Sequence, residues 1–157
     1  PRLVSSAASD VYKRQPILLV SLDARNYGAR AWVVKVIAAL RDPRGLDLLE
    51  HALQADIAPS VRRSATRGLA DLEFSEDAAH DQLVRCFEGL LKAVRDDEWV
   101  VRYAAAYGLE QRLNSAAVSA HLAEQGRAAL NQLASDAEGV RVVQLRALKA
   151  LQRLNAG

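Results

Sequence analysis

Residues 98–113, Glu-Trp-Val-Val-Arg-Tyr-Ala-Ala-Ala-Tyr-Gly-Leu-Glu-Gln-Arg-Leu, read as one helix that opens with a Val-Arg-x-x-Ala signature at Val101, Arg102 and Ala105. The signature recurs in register along the chain. With Arg30, Arg62, Arg102 and Arg141 in one column, the residues before them are Ala29, Val61, Val101 and Val140. Three positions on come Val33, Ala65, Ala105 and Gln144, and seven on come Ile37, Leu69, Leu109 and Leu148. The separations of 32, 40 and 39 residues lie near the period of about 40–47 expected of stacked HEAT or armadillo helix pairs.

Outward from that column, the apolar spacing is helical almost throughout, and no stretch alternates as a half-buried strand must. The fold class predicted is all-α, an α-solenoid of about four HEAT-like helix pairs. The spacing predicts inner helices over 26–40, 59–72, 98–113 and 138–154, and outer helices over 45–55, 77–94 and 116–134. Val61, Ala65, Leu69 and Leu72 mark one buried stripe, and Leu83, Phe87, Leu90 and Val94 another. Asp42-Pro43 stops one helix and starts the next, Pro59 suits a first helical turn, and Asn114-Ser115 separates two more. A helix pair cannot bury both faces alone, so stacked neighbours must supply the core.

Residues 1–15 depart from this pattern: they are polar and Ser-rich, without helical period. The string Ser-Ser-Ala-Ala-Ser-Asp-Val-Tyr-Lys-Arg-Gln resembles adapter-derived sequence and is expected to be a non-native or disordered leader, with the repeat domain over 16–157. Residues 16–22 read as the end of a truncated outer helix, so the first repeat is expected to be cut short. The formal net charge is +2, and the leader accounts for all of it, through Arg2, Lys13 and Arg14 against Asp10. The rest is neutral, which argues against nucleic acid as a partner.

The 157 residues suffice for one domain. Half are hydrophobic, mostly Ala, Leu and Val, with two Phe and two Trp, a supply suited to close-packed helices. No apolar run approaches the roughly 20 residues of a membrane span. A single cysteine gives no reason to invoke an oxidising compartment, so a soluble cytoplasmic protein is expected.

Few residues point to chemistry. His51, His80, His121 and Cys86 show no metal-ligand spacing and read as three surface histidines and one buried, inert cysteine. Neither a nucleophile elbow nor a phosphate loop is present, and no catalytic constellation emerges. The arginine column itself, with Asp97 and Asp136 five residues before Arg102 and Arg141, is expected to form a ladder of ion pairs between repeats. Positions one and five after the column point away from the outer helices, toward the concave surface. They are Ala31, Arg63, Tyr103 and Val142, and Lys35, Arg67, Tyr107 and Arg146. Lys35, Arg63, Arg67, Tyr103, Tyr107 and Arg146 therefore define a candidate groove able to clamp carboxylates, stack on a flat conjugated ligand or dock an acidic helix. An ordinary solvated face fits the same pattern.

The segments Asn26-Tyr-Gly-Ala-Arg-Ala-Trp32, Asp42-Pro-Arg-Gly45, Ser60-Val-Arg-Arg63 with Arg67-Gly-Leu69, and Asp96-Asp-Glu-Trp-Val-Val-Arg-Tyr-Ala-Ala105 with Gly108-Leu109 resemble the HEAT-repeat phycobilin lyases of cyanobacteria. Within these, the resemblance is to the F-type subunit of the heterodimeric E/F lyases, over roughly residues 18–113. It implies an accessory enzyme that binds an open-chain tetrapyrrole, phycocyanobilin or a related bilin. The bilin is then a transferred substrate, not a prosthetic group, and goes in thioether linkage to a cysteine of a phycobiliprotein α subunit. An E-type subunit is the implied partner. The N-terminal repeats of such a subunit are expected to be missing. The Asn-His-Cys motif of isomerising members is not in the sequence, and no isomerase step is implied. The alternative is a HEAT-repeat scaffold or chaperone that binds a protein partner without chemistry.

Overall fold

A computed structural model describes residues 26–74, 80–115 and 118–156. Seven α-helices run through these residues: α1 (Tyr27–Ala39), α2 (Leu46–Ala55), α3 (Pro59–Asp71), α4 (His80–Ala93), α5 (Trp99–Leu113), α6 (Ala120–Ala134) and α7 (Arg141–Ala156). Two of the local reasons, Asp42-Pro43 and Pro59, are those read from sequence. Asn26 caps α1 by accepting the Ala29 N–H at 3.1 Å, Asp42 accepts the Arg44 N–H ahead of a short 3-10 turn at Pro43–Gly45, and Pro59 occupies the first turn of α3.

Inner helices α1, α3, α5 and α7 pack side by side in that order, and α2, α4 and α6 form an outer layer. Three complete helix pairs thus follow one inner helix. The predicted leader and the outer helix read at 16–22 lie outside the described residues.

One core runs between the layers. Leu49, Val61, Leu69, Phe87, Leu90, Val101, Leu109 and Leu130 have no exposure at all, and each contributes about 1.5–3 kcal/mol of burial. Six positions after the arginine column, Gly68 and Gly108 let neighbouring inner helices approach closely. A Cβ on Gly68 would lie 2.9 Å from Ala38 Cβ and 2.8 Å from Leu49 Cδ2.

The arginine column forms the expected ladder, with a correction to its acceptors. Arg30 Nε and Nη2 donate to Asp56 at 2.8 and 3.1 Å, Arg62 donates to Asp96 at 2.8 and 2.9 Å, and Arg102 donates to Glu138 at 2.9 and 2.7 Å. Asp97 and Asp136 are not the acceptors. The position selected lies six residues before the next arginine, because there the carboxylate also closes a turn: Asp56 accepts the Ala58 N–H and Asp96 the Glu98 N–H. In the last loop this position is Ser135, whose hydroxyl takes only the Ala137 N–H, and Glu138 receives the guanidinium instead. Arg62 Nη1 also donates to the carbonyls of Asp56 and Ile57, and Arg102 Nη1 to those of Asp96 and Asp97. Each guanidinium therefore ties its own loop to the next. Arg141, at the end of the column, donates to Gln144 Oε1.

Burial opposes the charge on Asp56 and Asp96, but the facing arginine and the turn amide outweigh it and hold both carboxyls below their usual range. A depressed folded value means that the rung contributes stability above the ordinary aspartate range near pH 4 and loses it as the pH falls further. Asp96→Asn is expected to cost about 1–3 kcal/mol at pH 7 and to flatten the fall in stability between pH 5 and 2. Urea unfolding across that range checks both effects; equal acid sensitivity in variant and parent would refute the assignment. Gly68→Ala is expected to destabilise by about 1 kcal/mol, since overpacking against Ala38 exceeds the gain in helix propensity. An unchanged melting temperature would show that the inner helices are not in tight contact there.

Candidate functional site

The six predicted groove residues lie on the inner layer: Lys35 on α1, Arg63 and Arg67 on α3, Tyr103 and Tyr107 on α5, and Arg146 on α7. Three converge. The Arg67 guanidinium lies 4.0 Å over the Tyr107 ring, and that of Arg146 lies 5.6 Å from the same ring. Lys35 and Arg63 are exposed and make no ion-pair or ring contact with a described residue. Tyr103 is half-buried against the core.

Tyr107 is fixed at its polar end, where its hydroxyl donates to Asp71 Oδ1 at 3.0 Å. Burial and this bond together raise its pKa. Arg146 is fixed by Glu110, whose Oε2 accepts from Nη2 at 2.5 Å while Oε1 accepts from Arg153 at 3.0 Å. Burial opposes the charge on Glu110, but Arg146 and Arg153 overcome it and keep the carboxyl below its usual range. Arg146 Nη1 is, among the described residues, the buried side-chain nitrogen or oxygen left without a hydrogen-bond partner.

Sequence reasoning missed several members of this face. Trp99 is 44% exposed and stands four residues before Tyr103, so Trp99, Tyr103 and Tyr107 line one side of α5 at helical spacing. That spacing was available as a signal. Asp71 and Glu110 carried none, since their roles depend on the neighbouring helix. Arg112 is a further buried cation, donating to the carbonyls of Leu69 and Leu72 at 2.7–3.1 Å and so capping the C-terminus of α3.

The remaining candidates lie apart from this face. His51, His80 and His121 are exposed, and no group of three metal-ligating side chains forms among the described residues. Cys86 is buried in α4. Two clefts lie elsewhere: one of about 480 Å³ beside Asp96, Arg102 and Glu138, and one of about 560 Å³ between α4 and α6. Neither contains a predicted groove residue. No helix among the described residues is long and apolar enough to cross a membrane.

Fold and site together define a helix-pair solenoid whose inner layer presents aromatic and guanidinium groups. No protein-family model matches the chain. Individual relatives do. The bilin biosynthesis protein RpcF of Synechococcus sp. (strain WH8020) is 55% identical over 139 residues, covering 88% of this chain and 66% of the relative. The phycocyanobilin lyase subunit beta of Nostoc sp. (strain PCC 7120) is 43% identical over 63% of this chain and 51% of its own length. A chain of the solved complex of CpcE and CpcF of phycocyanin lyase from Nostoc sp. PCC7120 superposes with a TM-score of 0.71 at 34% identity, over 96% of this chain and 90% of that one. The chain belongs to the family of HEAT-like phycobilin lyase subunits of the F type. It spans about half to two thirds of the length of these two curated relatives.

Burial pushes the Cys86 thiol up to about 11. At pH 8 a disulfide reagent such as Ellman's is therefore expected to react on the order of a hundredfold more slowly with the native chain than with the chain unfolded in guanidinium. Comparable rates would place the thiol at the surface.

Proposed function

We propose that this chain acts as the F-type subunit of a bilin lyase, paired in the cytoplasm with an E-type subunit. In this reading it binds phycocyanobilin or a related open-chain tetrapyrrole and delivers it to a cysteine of a phycobiliprotein α subunit. The observation that carries the reading is the match to the CpcE and CpcF complex over nearly the whole chain, joined to an inner face bearing Arg63, Arg67, Tyr103, Tyr107 and Arg146. The cysteine S–H adds across the ethylidene double bond of the bilin: a C–S bond forms at the exocyclic carbon and the proton ends on the ring carbon. No redox partner or leaving group is required. The protein's task is then to hold the bilin in one orientation for the thiol, and orientation alone can supply a large part of a barrier.

The test is co-expression of the chain with an E-type subunit, a bilin source and an apo-phycobiliprotein α subunit, followed by denaturing gel fluorescence of the acceptor. Covalent colour that depends on the chain is the expected result, with loss of most of it when Arg63, Arg67, Tyr103 and Tyr107 are replaced together. Colour that is the same without the chain sinks the lyase reading. Capture of the acceptor with no need for bilin would favour the scaffold or chaperone instead.

A further inference from the structure

Arg67 differs from the other buried or half-buried arginines of the inner layer. Arg30, Arg62, Arg102, Arg112 and Arg146 each donate hydrogen bonds to a carboxylate or a carbonyl. Arg67 makes no hydrogen bond to a described residue; its contact is the Tyr107 ring at 4.0 Å. A carboxylate lies four residues along α3 but turns elsewhere. Asp71 is the i+4 neighbour that would ordinarily pair with Arg67 on a helix surface, but it accepts the Tyr107 hydroxyl at 3.0 Å. With Asp71 turned to the Tyr107 hydroxyl and the guanidinium held over the ring, no described residue occupies the N–H donors of Arg67, a planar fork whose geometry grips a carboxylate by two bonds. Arg146 adds a second cation over the same ring and a buried Nη1 donor without a partner.

Tyr107 is thus a platform for arginines, with the Arg67 guanidinium against its ring. The further aromatic groups of α5 are the half-buried Tyr103 and the exposed Trp99, one and two helical turns toward its start. We propose that a bound tetrapyrrole lies along α5 with a carboxylate on Arg67 and its rings over Tyr103 and Trp99, and that Tyr107 and Asp71 are positioning residues that keep Arg67 free. This assignment rests on the bilin-lyase reading and adds to it an orientation and a division of roles.

The experiment uses the full chain titrated with two probes, biliverdin and biliverdin dimethyl ester, with circular dichroism confirming that each variant is folded. The diacid is expected to bind about tenfold more tightly than the ester, the difference that one charge-assisted pair supplies. Arg67→Gln should bring the ratio close to one, chiefly through loss of diacid affinity. Tyr107→Phe releases Asp71 to capture Arg67, so the ratio should fall several-fold; adding Asp71→Asn to that variant should restore it, which a merely structural role for Tyr107 would not do. Trp99→Ala should weaken both probes by the same factor. A diacid preference that survives Arg67→Gln, or a Tyr107→Phe loss that Asp71→Asn does not rescue, overturns the assignment while leaving the bilin reading in place. Failure of the parent chain to bind either probe overturns the bilin reading itself.

Discussion

Each guanidinium of the Arg30, Arg62 and Arg102 column reaches forward to a carboxylate in the next inter-helix loop, and the rest of the architecture depends on that reach. The apolar contacts between successive inner helices are built from small residues and leucines that resemble one another from turn to turn, so burial alone tolerates a slip along the axis. A bidentate arginine pair does not, because its two bonds exist at one register only. The side chains involved are largely withdrawn from water, at 8% and 10% exposure for Arg30 and Asp56 and 17% and 4% for Arg102 and Glu138. Such pairs add little net stability over a well-packed apolar substitute. Their contribution is to fix alignment, and alignment is what places residues one and five after each arginine on a common face.

The helices were legible because period and punctuation agreed: the predicted inner segments 59–72 and 98–113 match α3 and α5 to within a residue at either end. The ladder was legible as a pattern of arginines and nearby acids, yet the acids were assigned to the wrong residues. Three acidic side chains crowd the loop at Asp96, Asp97 and Glu98, and spacing alone does not separate them. What does is the turn: in this loop the carboxylate that also accepts the amide two residues on is the one held in place for the guanidinium, and that is Asp96. The last loop has Ser135 in the equivalent place, so the partner moved to Glu138, a change visible only once the loop is folded.

The site shows the same division. That Arg67, Tyr107 and Arg146 share a face followed from counting along each helix. That all three meet on one ring did not, because it depends on the lateral spacing of α3, α5 and α7, which in helix packing is about 8–10 Å. The aromatic line of α5 could have been extended to Trp99 by the same counting; the tyrosines drew attention because they lay in the aligned columns, and Trp99 lies outside them.

A repeat protein builds a site by varying side chains at positions whose geometry the repeat holds constant. Eight residues after the arginine column, Ala38 and Ala70 are small where inner helices touch, and Ala38 lies against Gly68. In the third repeat the same position is Glu110, a carboxylate with 3% side-chain exposure. Such a group cannot be buried between helices without cations, and α7 supplies two, Arg146 and Arg153. This departure from the repeat pattern sets the position of Arg146, brings it to Tyr107, and concentrates positive charge at one end of the aromatic line. Where a sequence breaks its own local rule and compensates nearby, function is the usual reason. Here the break lies at the α5–α7 boundary, beside the ring that both Arg67 and Arg146 approach.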